Sequence, residues 1–303
     1  MRLVVCTAAW LQHRRWRYRN HLLIAIHEAQ QTVIEACAVL QALPTACEIM
    51  NGRVLAQDVV APENVPPFTN TAVDGYAVRA ADVQSVPVVL RVVDTLAAGA
   101  APSVAVGSGE AIRIMTGAPM PQGADAVVMV EDSVREGDAH VSLSRSAKVG
   151  DGIRDAGSDV RVGETVFVAG TVLNAAGAGV LASVNARSVL AYPRARVALL
   201  STGDELVTDG SPLRIGQIRE SNLTMLDAMI AASGCEVINL GVIPDDEAQL
   251  ERVLKEVTER CDAIVTSGGV SMGDFDVVKA VLSRIAKMHW MQLAIKHAKP
   301  FAF

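Results

Sequence analysis

Apolar residues recur at Ile26, Ala29, Val33, Ala36, Cys37 and Leu40, at spacings of three and four. This rhythm predicts a helix over 22–40 with one face turned to a core. Pro44 lies just past its end. Residues 52–60 predict a short helix or strand, and the proline-rich stretch 61–67 predicts an extended boundary. From 68 to 152 the pattern shortens. Apolar runs at 87–93, 111–115, 126–130 and 140–143 are closely punctuated by Gly and Pro, which predicts short strands in a small β-rich domain. Residues 160–192 are rich in Ala, Gly and Val and are expected to return to pack near the first helix.

The grammar changes at Pro193. Strand-like runs at 195–200, 236–242, 263–266 and 291–295 alternate with helical patterns at 222–232, 247–260 and 277–287. In the second helix Leu250, Val253, Leu254 and Val257 share a face. Such alternation predicts a parallel sheet covered by helices on both faces, joined by right-handed crossovers. The expected architecture is thus α/β and multidomain, a β-rich small domain plus a doubly wound parallel-sheet domain. The expected parts are an N-terminal tail at 1–21, a discontinuous linker or dimerisation domain at 22–60 and 156–192, the β-rich domain at 61–155, and the α/β domain at 193–303.

In a sheet of this kind ligands bind beyond the carboxyl ends of the strands. There the first strand delivers Ser201, Thr202, Gly203, Asp204 and Glu205, and the second delivers Asp245 and Asp246. The third delivers Ser267, Gly268, Gly269 and Ser271, then Asp274 and Asp276, and the fourth delivers Lys296 and Lys299. Glycines let backbone N–H groups approach an anion closely, and the hydroxyls add donors. The carboxylates would repel a phosphate unless a cation lay between them. Two of them about 4 Å apart repel by roughly 4 kcal/mol at an effective dielectric near 20. The edge therefore predicts a phosphate site with Mg²⁺.

Composition narrows the function. Half of the 303 residues are hydrophobic, enough for two or three domains with sizeable cores. Charged residues make up 20% and the net charge is −6, against the basic face of a nucleic-acid binder. The five cysteines, Cys6, Cys37, Cys47, Cys235 and Cys261, form no CxxC pair and have no metal-ligand spacing. An odd, scattered set fits a reducing cytoplasm. Arg14, Arg15, Arg17 and Arg19 crowd around Trp10, Trp16 and Tyr18. The apolar stretch before them is too short to span a membrane, and its order is wrong for a secretory signal. These residues are expected to form a disordered tail, and no membrane span is expected elsewhere.

Several separate blocks carry a family resemblance. They are Gly52-Arg-Val-Leu-Ala, Pro66-Pro-Phe-Thr-Asn-Thr-Ala-Val-Asp-Gly-Tyr-Ala77, Ile112-Arg-Ile-Met-Thr-Gly-Ala-Pro119, Ala124-Asp-Ala-Val-Val128, Leu200-Ser-Thr-Gly-Asp-Glu-Leu206 and Ser267-Gly-Gly-Val-Ser271. In this order they resemble the MoeA family, also found as the E domain of gephyrin, from about Ala29 to Phe303. The resemblance implies a molybdopterin molybdenumtransferase of molybdenum cofactor biosynthesis. Such an enzyme takes adenylylated molybdopterin and molybdate, releases AMP and uses Mg²⁺. It also implies a homodimer whose active site lies between the sheet domain of one subunit and the β-rich domain of the other, and transient contact with the molybdopterin adenylyltransferase. Residue by residue, it implies that Asp74, Thr116, Arg154 and Asp159 face the cleft. Asp204, Glu205, Asp245 and Asp276 match acidic positions, with Asp276 and Glu205 foremost as metal ligands; Asp274, from the acid pair after the glycine loop, joins Asp204 in the expected metal set. The resemblance further implies that Ser267, Gly268, Gly269 and Ser271 hold phosphate and that Lys296 and Lys299 bind anionic groups.

The chain departs from the family pattern in places. Lys296-His-Ala-Lys-Pro300 stands where the family has Lys-Pro-Gly-Lys-Pro, and Gln292 where some relatives have lysine. The family continues past Phe-Ala-Phe with a further loop, a helix and a small β domain, so a truncated, non-catalytic molybdopterin-binding or scaffold relative is the alternative expectation.

Overall fold

The computed structural model describes residues 5–8, 23–268, 277–296 and 300–303, the first four by their backbone. Five helices are present among them: α1 (Ile26–Ala36), α2 (Ala175–Ser183), α3 (Asn222–Ala232), α4 (Glu247–Thr258) and α5 (Val277–Ile285). The chain divides into two compact units, Pro44–Ala191 and Met1–Leu43 with Tyr192–Phe303.

The Pro44–Ala191 unit is built on a six-stranded mixed sheet. Its strand order is Ser133–Glu136, His140–Leu143, Val88–Leu96, Glu110–Ile114, Gly75–Val78 and Ala126–Met129. Only Val88–Leu96 and Glu110–Ile114 run parallel; the other pairs are antiparallel. The middle strands are buried on both faces, so their side chains divide by parity between two cores. Tyr76, Val78, Ala111, Ala126 and Val128 enter one core, with Leu90, Val141 and Leu143. Ala77, Ile112, Ile114 and Val127 enter the other. Strand spacing is tight at Gly75, where a Cβ would stand 2.2 Å from the Val128 carbonyl oxygen.

A third core joins sequence-distant segments. Cys47, Met50, Leu55 and Val59 pack with Leu173, Leu181, Val189 and Ala191. Within 52–60 the chain forms the strands Val54–Leu55 and Val59–Val60, so the strand alternative holds there. α2 is capped by Asn174, whose side-chain oxygen accepts from the Gly177 N–H at 2.8 Å.

The other unit carries a four-stranded, wholly parallel sheet in the order Val5–Ala8, Ala263–Ser267, Arg196–Thr202, Glu236–Ile243. Ala198, Leu200, Ile243 and Ile264 meet Leu250, Leu254 and Val257 of α4 and Val278, Val281 and Leu282 of α5. The alternate positions of Arg196–Thr202 and Glu236–Ile243 face α3, which packs on these two strands. Helices therefore cover both faces, and the doubly wound α/β expectation holds.

Three expectations change. Residues 291–295 do not extend the parallel sheet. Trp290–Gln292 instead pairs antiparallel with Pro300–Ala302, with Trp290 opposite Ala302. The sheet position beside Ala263–Ser267 is taken by Val5–Ala8, inside the stretch expected to be a disordered tail. Finally, α1 spans Ile26–Ala36 rather than 22–40. Ile24 bridges Leu293, and α1 lines an apolar groove with Leu293 and Phe301. The third core satisfies 173–191 from within its own unit.

Candidate active site

In the mixed-sheet unit, the short strand Asn70–Thr71 is held between two loops. Gly117 N–H donates to the Thr71 carbonyl at 2.9 Å, and Thr71 N–H donates to the Ala118 carbonyl at 3.0 Å. On its other side Asn70 and Thr71 pair with Arg154 and Ile153, and Ala72 N–H donates to the Gly152 carbonyl at 2.9 Å. This places the loops bearing Asp74, Thr116 and Arg154 on adjoining segments.

Asp74 and Thr116 are bonded directly. Asp74 Oδ1 accepts from the Thr116 backbone N–H at 2.7 Å and from Thr116 Oγ1 at 2.9 Å. The Thr116 N–H, then its hydroxyl, hold the Asp74 carboxyl below the usual carboxylate range, with a smaller contribution from Arg113. Asp74 is thus an anion whose orientation is preset by a turn. Arg154 Nη2 meets Asp159 Oδ2 at 2.5 Å, with both side chains 47% exposed. A pair so open to water adds little to stability, which leaves its charges available to a ligand.

Two residues in this unit escaped the sequence reading. Arg113 lies opposite Tyr76, its guanidinium 5.0 Å from the ring centre. Its Nη1 is buried without a partner among the described residues. The Asn70 side chain is 7% exposed, and its Oδ1 is likewise unpartnered. The available signal for Arg113 was a charge inside the run Ile112-Arg-Ile114, whose two isoleucines are buried.

In the parallel-sheet unit, the ends of Arg196–Thr202 and Ala263–Ser267 lie side by side, with Ser201 opposite Ser267. Both serines are buried, at 0% and 4% exposure. Gly203 follows at φ +147°, and a Cβ there would come within 2.6 Å of Glu205 Oε2. Glycine is therefore required for the Glu205 carboxylate to fold back over the turn. Gly268, at φ +100°, brings its backbone beside Thr202. Asp204 Oδ1 accepts from the Asp245 N–H at 3.2 Å, tying the loop after Arg196–Thr202 to the loop after Glu236–Ile243. Asp246 has a structural task, capping α4 through the Gln249 N–H at 2.6 Å. Lys296 is exposed in the connection between Trp290–Gln292 and Pro300–Ala302, not at a parallel-strand end.

Gly269, Ser271, Asp274, Asp276 and Lys299 lie outside the described residues. Among the described residues no group of three or more His, Cys, Asp or Glu side chains could hold a metal ion. Asp204 and Glu205 offer hard oxygen donors of the kind Mg²⁺ takes, but they do not complete a site by themselves. Sequence reasoning also missed Glu220 and Asn222. Ser201 Oγ donates to Glu220 Oε1 at 3.0 Å, and Asn222 Nδ2 donates to Ser267 Oγ at 2.8 Å. No described helix is long and apolar enough to cross a membrane.

Residues 24–185 match the model of the MoeA N-terminal region (domain I and II), and residues 198–303 match a probable molybdopterin binding domain. A molybdopterin molybdenumtransferase of Haemophilus influenzae is 38% identical over 286 residues, covering 93% of this chain and 70% of that protein. Molybdopterin molybdenumtransferase 2 of Mycobacterium tuberculosis is 39% identical over 259 residues, covering 84% of this chain and 64% of that protein. The chain spans 58% of the Nostoc molybdopterin molybdenumtransferase, at 38% identity. Among solved structures, the molybdopterin biosynthesis moeA protein from Pyrococcus horikoshii OT3 matches with a TM-score of 0.75 at 30% identity, covering 93% of this chain and 72% of that one.

Proposed function

The chain belongs to the MoeA family of molybdopterin molybdenumtransferases, proteins of molybdenum cofactor biosynthesis, and on that premise we propose that it inserts molybdate into adenylylated molybdopterin. In this reaction water cleaves the phosphoanhydride link and AMP leaves, while the two dithiolene sulfurs replace one oxygen of molybdate, which departs as water with the two thiol protons. The observation that carries the reading is the register pairing of Ser201 with Ser267 at adjacent strand ends, followed at once by the turns at Gly203 and Gly268. Two glycine turns beside the paired strand ends bring backbone N–H groups together as the floor of a phosphate site.

In this proposal Ser201, Thr202, Gly203, Ser267, Gly268, Gly269 and Ser271 belong to the phosphate side. Asp204 and Glu205, with Asp274 and Asp276, would hold Mg²⁺, which when bound neutralises phosphate charge. Asp245 supports Asp204 from the backbone. Lys296 and Lys299 attract the anionic substrates. Asp74, Thr116, Arg154 and Asp159 form the second polar group, contributed across a homodimer. Asp74, kept ionised by Thr116, can accept a hydrogen bond from the substrate. The linker division at 22–60 and 156–192, transient contact with the molybdopterin adenylyltransferase and a cytoplasmic location complete the proposal. The four described cysteines with assigned side chains are unpaired, which suits that compartment.

The test is AMP release from adenylylated molybdopterin with Mg²⁺, with and without molybdate. Molybdate-dependent release is expected. Binding of the substrate without release under any metal condition would overturn the enzymatic reading in favour of a cofactor-binding protein.

A further inference from the structure

The two strand-end serines are placed symmetrically but bonded oppositely. A serine hydroxyl has one proton to give and two lone pairs to offer. Ser201 gives its proton to Glu220 Oε1 at 3.0 Å. Glu220 is an acceptor only, and its two oxygens also take the Leu223 N–H, at 2.9 and 3.0 Å, which seats the first turn of α3. Ser267 does the reverse. It accepts from Asn222 Nδ2 at 2.8 Å and donates its own proton to no other group among the described residues.

A phosphate oxygen has only lone pairs at its surface, so it can bond only to a hydroxyl whose proton is free. Ser201 has none to spare. Among the described residues Ser267 keeps its proton unspent, and its lone pair is pinned by Asn222, which limits the directions in which that proton can point. Both serines lie on the sheet face toward α3, and both contacts come from Glu220 and Asn222 at that helix's start. One helix end therefore assigns two like residues different tasks.

We propose that Asn222 and Glu220 are positioning residues of the phosphate site: Asn222 sets Ser267 as the hydroxyl that donates to a substrate phosphate oxygen, while Glu220 withdraws Ser201 from the ligand and uses it to dock α3. This rests on the phosphate reading given above and deepens it by assigning the donor. Thr266, between the two motifs in register terms, does not substitute for either. Its parity turns it toward the Ile264 side of the sheet, away from α3.

The experiment measures AMP release and substrate binding for the full chain with adenylylated molybdopterin as the probe. Ser267→Ala is expected to raise KM, or Kd where turnover is slow, by about tenfold, the loss of one hydrogen bond to a charged group. Ser201→Ala is expected to lower the melting temperature, with a KM change several-fold smaller. Asn222→Ala should raise KM by about threefold in the wild-type background and by nothing further when Ser267 is already Ala. A residue with a merely structural role would give additive effects instead. Should Ser267→Ala melt early, Ser267→Cys keeps the bulk with a much weaker donor and should show the same rise in KM. Equal KM changes for the two serines, or an additive Asn222 and Ser267 cycle, would overturn the assignment while leaving the enzymatic reading intact. Failure of the wild-type chain to bind the substrate at all would instead overturn the phosphate reading, and the assignment with it.

Discussion

The two polar groups of this protein are organised by different means. In the mixed-sheet unit the carboxylate is satisfied by a neighbouring loop of the same unit. Asp74 is held by the N–H and hydroxyl of Thr116, and Asn70–Thr71 locks the neighbouring loops together. At the parallel-sheet edge the acids are left open. Asp204 has one backbone donor at 3.2 Å, and neither it nor Glu205 forms an ion pair among the described residues. The opposite edge of the same sheet shows that this is selective. There Asp262 is paired with Arg196 at 2.9 Å, and its carboxyl is lowered chiefly by that hydrogen bond. The acid at the closed edge ties two strand starts together, whereas Asp204 and Glu205 at the open edge have no cationic partner among the described residues. A site of the first kind is pre-organised at folding; a site of the second kind is organised by what it binds.

This contrast can be broken from either side. The largest expected effect is on turnover at the open edge. Glu205→Ala should lower the rate of Mg²⁺-dependent AMP release by about a hundredfold or more, with a melting temperature near that of the parent, because no fold contact depends on that carboxylate. An unchanged rate would remove Glu205 from the site. Next is stability in the mixed-sheet unit. Gly75→Ala forces a Cβ to within 2.2 Å of the Val128 carbonyl oxygen, a backbone clash expected to cost about 1–3 kcal/mol or more. Denaturant unfolding should show it, and a shift below 0.5 kcal/mol would mean that the strands part without cost.

The smallest effect sharpens the comparison through pH. The Asp74 carboxyl is lowered in the folded protein from an ordinary value of 3.8. Its contribution to stability is therefore fully present above 3.8 and is lost as pH falls through the lower folded value. Thr116→Val removes the hydroxyl donor and keeps the backbone N–H. The variant should lose less stability than the parent as pH falls below 3.8, when both are followed by thermal melts from neutral pH downward. Parallel pH profiles would show that the backbone N–H alone sets the carboxylate.

Much of this was legible from local pattern. The runs at 87–93, 111–115, 126–130 and 140–143 became Val88–Leu96, Glu110–Ile114, Ala126–Met129 and His140–Leu143. Short apolar segments between Gly and Pro have few alternatives to strand, so these assignments survive packing. The helices α3, α4 and α5 emerged from the strand–helix alternation for the same reason. Residues 290–302 were a different case. A short apolar run after a helix is equally suited to a parallel strand or a hairpin, and its partner is chosen by what occupies the neighbouring edge. Here Val5–Ala8 holds that edge and Trp290–Gln292 folds back on Pro300–Ala302. Asp74 and Thr116 were recognisable as separate motif residues, yet their mutual bond spans 42 positions. Nothing in either motif announces it.

By itself, then, the sequence determined the class of each half, the strand-end motifs and the family, because periodicity and glycine placement act over a few residues. The tertiary structure alone decided which like residues became unlike. Ser201 and Ser267 are indistinguishable as strand-end serines, and they differ only because the start of α3 brings an acceptor to one and a donor to the other. The direction of a hydrogen bond depends on its partner, and that partner is supplied by packing.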